Sequence, residues 1–181
     1  MKILVRLLLG LSAFFAALLL LSFLLPDSYH VERRIHVQAS PERVFALLED
    51  PREWRRWSTW NRRDPAMSVS YAGPPRGAGA MWQWKSASQG NGEIRFVKVE
   101  PDRLLEYSLY FPDVDSRPVG SFRLEPKQGG TEVSWSMRDQ IGYNPAMRWM
   151  SLLMERMIGR DFEEGLATLK SVAETDGNPM P

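Results

Sequence analysis

The chain is predicted to be an α+β protein in which one membrane-spanning helix precedes a seven-stranded antiparallel sheet and a long C-terminal helix. Three observations predict this. Leu7 to Leu25 is a run of 19 residues without a charge. Between Met67 and Arg138, strand-like segments follow one another with only short turn signals between them, as in an antiparallel meander. From Met147 to Val172, apolar residues then recur every three or four positions, the period of a helix.

The apolar run would be about 28 Å long as a helix, close to the ~30 Å hydrocarbon core of a bilayer. Lys2 and Arg6 precede it and Pro26-Asp27 stops it. A cleaved signal peptide is the competing reading. The exit Leu21-Ser22-Phe23-Leu24-Leu25 lacks the small residues of a cleavage site, which favours an uncleaved single-pass anchor. Lys2 and Arg6 place the N-terminus in the cytoplasm and the domain on the extracytoplasmic side, although Arg33 and Arg34 lie within the same counting distance. The expected division is residues 1–26 as anchor, 27–175 as one domain and 176–181 as a polar tail.

Tyr29 to Ala39 alternates, with Val31, Arg33, Ile35 and Val37 on one face. Ser40-Pro41-Glu42 supplies an N-cap, a proline at the first helical position and an acid in the first turn, opening a helix through Val44, Phe45, Leu47 and Leu48. Asp50-Pro51 starts a second short helix bearing Trp54 and Trp57. Strands are predicted over Met67–Ala72, Ala80–Ser86, Glu93–Glu100, Leu104–Phe111, Gly120–Glu125 and Thr131–Arg138. Gly90-Asn91-Gly92 and Gln128-Gly129-Gly130 are the expected hairpin turns. Both registers of Glu93–Glu100 carry apolar residues, so neither face is assigned as inner. Asn144-Pro145 opens a final helix of roughly 30 residues, with Gly159 as a candidate kink.

Composition excludes several chemistries. With 23 Lys+Arg against 22 Asp+Glu, the net charge of +1 gives no field for nucleic acid, and no nucleic-acid partner is expected. The absence of cysteine removes disulfides, thiolate metal sites and cysteine nucleophiles. His30 and His36 both lie on the first strand without metal-ligand spacing, and no serine has a triad context. Glu93, Glu106, Asp113, Asp115, Asp139 and Glu163 are scattered without an evident pairing. No catalytic residue, metal or cofactor is therefore expected.

What remains is a load of seven Trp and nine Met, residues that fill a core or line an adaptable apolar pocket. Alternation places Trp82, Trp84, Tyr107, Leu109, Phe122, Trp135 and Met137 on one face of the sheet. The stripe Met147, Met150, Met154 and Met157 faces them from the last helix. Trp57 is positioned to cover the mouth of a cavity between the two. Arg33 shares the face of Val31 and Ile35, either to hold a ligand carboxylate or phosphate or to reach the membrane-side rim. These are the candidate cavity-lining residues.

Three segments also carry a resemblance. Residues Arg34-Ile35-His36-Val37-Gln38-Ala39-Ser40-Pro41-Glu42-Arg43-Val44-Phe45, with Asp50-Pro51 and Trp54, Trp57 and Trp60 behind them, resemble the opening of the START-like (SRPBCC) superfamily of polyketide cyclases/dehydrases and lipid-transport proteins. Gly129-Gly130-Thr131-Glu132-Val133-Ser134-Trp135-Ser136-Met137 and Asp161-Phe162-Glu163-Glu164-Gly165-Leu166-Ala167-Thr168-Leu169-Lys170 are similar to its last hairpin and closing helix. The resemblance spans residues 29 to about 175. It implies a helix-grip (Bet v 1/START-like) fold, in which a curved sheet wraps the last helix around a cavity. It also implies a hydrophobic small molecule or lipid as partner, met beside the membrane entered by residues 7–25. Because such folds host many chemistries, a cyclase/dehydrase-like enzyme and a non-binding structural or signalling module stand as alternatives.

Overall fold

The computed structural model describes residues 2–175, so the expected polar tail lies outside the described residues. Its first element, α1 (Lys2–Ser22), is the uncharged run. None of its apolar window is buried against the rest of the molecule, and it is long and apolar enough to cross a membrane, as anchors and signal sequences both are. Its 21 residues extend about 31 Å.

The remaining order is β1 (Ser28–Val37), α2 (Pro41–Glu49), α3 (Trp54–Trp57), α4 (Thr59–Arg63), β2 (Ser68–Ala72), β3 (Met81–Ser86), β4 (Gly90–Glu100), β5 (Leu104–Tyr110), β6 (Val119–Lys127), β7 (Gly130–Gln140) and α5 (Pro145–Thr175). Seven strands form one antiparallel sheet in the order β1-β7-β6-β5-β4-β3-β2. β2 to β7 are the predicted meander, and β1 closes the sheet on β7, from Ser28 opposite Gln140 to Val37 opposite Thr131. The fold is therefore the expected α+β helix grip, with α5 lying along β1 and across the sheet.

That register sorts the loops. The exit of α1, the start of β1, the end of β7 and the start of α5 share one end of the sheet, here called proximal. The 111–118 loop and the 87–89 turn lie there too, since Val119 pairs with Arg138 and Ser86 with Gly90. At the distal end α5 is pinned by Lys170 Nζ donating to the His36 carbonyl at 2.8 Å and by the Gln38 N–H donating to Glu174 at 2.7 Å.

Three local expectations are corrected. The second short helix is two, because the backbone turns extended at Ser58 (φ −67°, ψ 129°) between α3 and α4. Both α3 tryptophans point inward, donating Nε1–H to the Leu48 carbonyl (2.8 Å, Trp54) and the Leu47 carbonyl (3.0 Å, Trp57), which satisfies acceptors that the end of α2 leaves open. The β3–β4 turn falls at residues 87–89, and Gly90-Asn91-Gly92 belongs to β4. Gly92 stands opposite Trp84, and a Cβ there would lie 2.2 Å from the indole, so the glycine is a bed for a ring rather than a turn residue. The third correction is at Gly159, where α5 runs on without interruption; a Cβ would meet the Arg33 guanidinium at 2.1 Å, so the small residue admits a side chain.

Gly120 repeats the device opposite Tyr107, with a Cβ 2.2 Å from the buried phenol ring. Gly120→Ala should therefore destabilise the domain by about 1–3 kcal/mol through overpacking, read from the denaturant midpoint. An unchanged midpoint would mean that the Tyr107 ring moves aside without cost.

The inner face of β4 is settled by a bulge. Ile94 and Phe96 are buried, the register slips between Phe96 and Lys98, and Val97 is left exposed while Val99 returns to the core side. One extra residue moves the apolar positions from even to odd, so no single alternation fits.

Candidate functional site

The space between α5 and the sheet is filled at one end and open at the other. The filled part is aromatic. The Trp54 ring touches Trp57, Phe96, Tyr107 and Phe122 at centroid distances of 5.0, 5.6, 5.4 and 5.7 Å. Beyond it, Trp135 stacks on Phe162 of α5 at 3.8 Å and on Phe122 at 4.8 Å, and donates Nε1–H to the Tyr107 hydroxyl at 2.7 Å. From Phe162 onward, Leu166, Leu169 and Ala173 close α5 onto this packing.

Toward the proximal end, α5 and the sheet border a cavity of about 280 Å³, just below the ~300–1,000 Å³ range of small-molecule sites. Trp82, Trp84, Ile94, Leu109 and Met137 form its sheet wall; Met147, Met154 and Ile158 form its helix wall; Phe111, Val114 and Pro118 belong to the loop at its rim. The lining is overwhelmingly apolar, with a few polar atoms that are mostly engaged. Asp161 accepts hydrogen bonds from Trp60 Nε1 at 3.1 Å and from the Arg63 guanidinium. Asp139 accepts one from the Ser116 hydroxyl at 2.6 Å. Burial, and secondarily the Asp139 charge, pushes the Tyr29 hydroxyl upward in pKa, so it stays a neutral phenol. The wall residue Trp82 is only 2% exposed, and its Nε1–H is buried without a hydrogen-bond partner.

The predicted site residues divide accordingly. Trp82, Trp84, Leu109, Met137, Met147 and Met154 line the cavity. Trp57, Tyr107, Phe122 and Trp135 lie outside it, since each is locked in the aromatic packing at 0–1% exposure. Met150 and Met157 are 42% and 57% exposed, because a step of three residues turns them about 60° round the helix from Met147 and Met154. Arg33 is not among the residues that line the cavity. Its guanidinium passes over Gly159 and donates to Glu163 (2.6 Å) and Glu155 (2.8 Å), clasping β1 to α5 away from the cavity. Of the scattered carboxylates, Asp139 reaches the cavity wall and Glu163 serves that clasp. No cluster of three or more His, Asp or Glu suited to a metal occurs among the described residues.

Sequence reasoning missed Tyr29, Trp60, Ile158 and Asp161 on the wall. Ile158 was discoverable, lying four residues after Met154 on the same helical face. It also missed Arg148, which is buried and holds the joint between α1 and the domain. Arg148 Nη1 donates to the carbonyls of Ser22 (3.4 Å), Phe23 (3.2 Å) and Leu25 (3.3 Å), and Nε to that of Gly142 (2.8 Å). Open carbonyls at the negative end of a helix dipole are favourable company for a buried cation.

Comparison with known proteins agrees with this geometry. Residues 28–174 match the profile of a family described as polyketide cyclase / dehydrase and lipid transport. An uncharacterised protein of Mycobacterium tuberculosis is 27% identical over 126 residues, covering 67% of this chain and 71% of its own length. Among solved structures, a protein from Chromobacterium violaceum is similar at a TM-score of 0.57 and 17% identity, covering 82% of this chain and 99% of the other. Ara h 8.0201 is similar at a TM-score of 0.56 and 12% identity, with coverages of 82% and 99%. At these identities the structures share the fold with this chain.

Proposed function

The chain belongs to the polyketide cyclase / dehydrase and lipid transport family, and from that premise we propose that its domain, residues 27–175, binds a hydrophobic small molecule or lipid between the sheet and α5. The observation that carries the reading is the apolar cavity of about 280 Å³ walled by Trp82, Trp84, Leu109 and Met137 of the sheet and Met147, Met154 and Ile158 of α5. The ligand is accordingly a mainly apolar molecule. In this reading α1 is an uncleaved single-pass anchor, and the domain lies on the extracytoplasmic side. An apolar ligand partitions into the bilayer, so a tethered cavity shortens its passage through water. No catalytic step is part of the proposal: Asp161 is held by Arg63 and Trp60, and Asp139 by Ser116.

The test is extraction. Residues 27–175, checked for native packing by near-ultraviolet circular dichroism, are denatured in organic solvent and the extract analysed by mass spectrometry. An apolar compound in near-stoichiometric amount is expected. An empty, folded domain that also fails to take up a fluorescent fatty-acid analogue would sink the proposal, whereas chemical conversion of the captured compound would favour a cyclase/dehydrase-like enzyme.

A further inference from the structure

We infer that the first half of α5 and the loops at its foot make a second contact with the bilayer, so that the cavity opens onto the membrane surface; this rests on reading α1 as a membrane span. The first support is the joint. Besides the four carbonyls held by Arg148, the Ile141 N–H donates to the Asp27 carbonyl at 2.7 Å, and Trp149 Nε1 donates to the Leu18 carbonyl at 3.3 Å. The domain is thus bonded to α1 at Leu18 and Ser22 and to the segment that leaves it at Phe23, Leu25 and Asp27, rather than trailing from a loose linker. Leu18 lies four residues inside α1, about 6 Å along its axis from Ser22. Trp149 therefore stands beside the apolar rod, at the depth where a membrane-spanning helix passes from hydrocarbon to headgroups.

The second support is where apolar surface is exposed. Apart from Val97, every exposed large hydrophobic residue described outside α1 lies either at the proximal end, as Phe23, Val114 and Tyr143 do, or on the first half of α5, as Trp149, Leu152 and Leu153 do. One-sided exposure on this scale marks an interaction surface. Farther up the same helix the exposed residues turn mainly charged; Glu155 and Glu163 are taken by Arg33, and Arg156 and Arg160 stand where cations would meet headgroup phosphates. Trp149 and Tyr143 are the side chains enriched at that boundary. A bilayer is the occupant because this patch is continuous with α1 and bonded to it. The third support is topology: the 111–118 loop, which supplies Phe111, Val114, Ser116 and Pro118 to the cavity rim, lies at this same end.

The chain contains no cysteine, so single cysteines can be read one at a time in the full chain. Ser12→Cys reports on α1, Leu153→Cys on α5 and Val114→Cys on the cavity rim. Each is labelled with an environment-sensitive fluorophore and reconstituted into vesicles of phosphatidylcholine and phosphatidylglycerol carrying spin-labelled lipids. Positions 153 and 114 should be quenched by labels near the headgroups, at a depth of about 5–10 Å, and position 12 by labels deep in the acyl chains. Adding Leu152→Glu and Trp149→Glu should relieve quenching at 114 while position 12 stays deep. If 12 is quenched and 153 and 114 are not, the second contact is wrong and the anchor survives. If 12 is not quenched, the anchor reading itself falls. Burial of 153 that depends on protein density in the vesicle, without lipid quenching, would assign the patch to a second copy of the chain and overturn the inference.

Discussion

Replacing Met154 with Trp, together with Leu109→Phe, should abolish ligand retention while leaving the domain as stable as before. The two side chains face one another across the open part of the grip, Met154 from α5 and Leu109 from β5. Larger rings there occupy the space that a ligand needs, instead of displacing packed protein. Each ~1.4 kcal/mol of steric exclusion is a tenfold loss of affinity, so a loss of at least about tenfold is expected. Stability should hold or rise, because filling a void restores contacts that its walls lack. The measurement is titration with a fluorescent fatty-acid analogue beside a urea melt. Retained binding at unchanged stability would place the ligand elsewhere. Met154→Trp alone, on the half-exposed helix wall, is the milder arm and should still weaken binding.

The residues of this wall show how far the sequence could be read. Alternation identified Trp82, Trp84, Leu109 and Met137, because on a sheet a period of two assigns a face wherever the ladder is regular. It could not say which inward-facing residues border empty space. Trp135 and Met137 lie on the same face of β7, yet Phe162 stacks over the first while the second borders the cavity. That difference arises from α5, from where its bulky side chains stop. The bulge at Val97 and the rings over Gly92 and Gly120 were hidden for a related reason, since each depends on a neighbouring strand rather than on local pattern. Arg33 was placed on the correct strand face but given the wrong company, its partners Glu155 and Glu163 being 122 and 130 residues away in sequence.

The first half of α5 carried a signal that was read too narrowly. Met147 to Met154 is apolar all round apart from Arg148 and Ser151. A helix of that kind has more apolar surface than one sheet can cover. The methionine stripe accounts for one face. Trp149, Leu152 and Leu153 remain exposed on the other, Trp149 bonded to α1, while Arg148 and Ser151 are the polar residues buried here.

Trp135→Ala should be the most damaging single substitution in the domain, costing about 3–5 kcal/mol. Trp135 is 1% exposed and joins three layers: it stacks on Phe122 within the sheet, on Phe162 of α5, and meets Trp57 of α3 edge-on at 5.6 Å. Truncation opens a void bounded by rigid rings, which collapse poorly onto one another. It also removes the donor to the Tyr107 hydroxyl, which is fully buried and which burial keeps as a neutral phenol. Trp135→Phe separates the two contributions, since it keeps a ring for the stacks but loses the N–H; it should cost about 1–3 kcal/mol, the usual penalty for a buried polar group left without a partner. Both values follow from urea denaturation midpoints at unchanged slope. A loss below about 1 kcal/mol for Trp135→Ala would mean that the aromatic packing is loose enough to close over the gap. The wall between the filled and open parts of the grip would then be movable, and the cavity could grow toward the distal end at little cost.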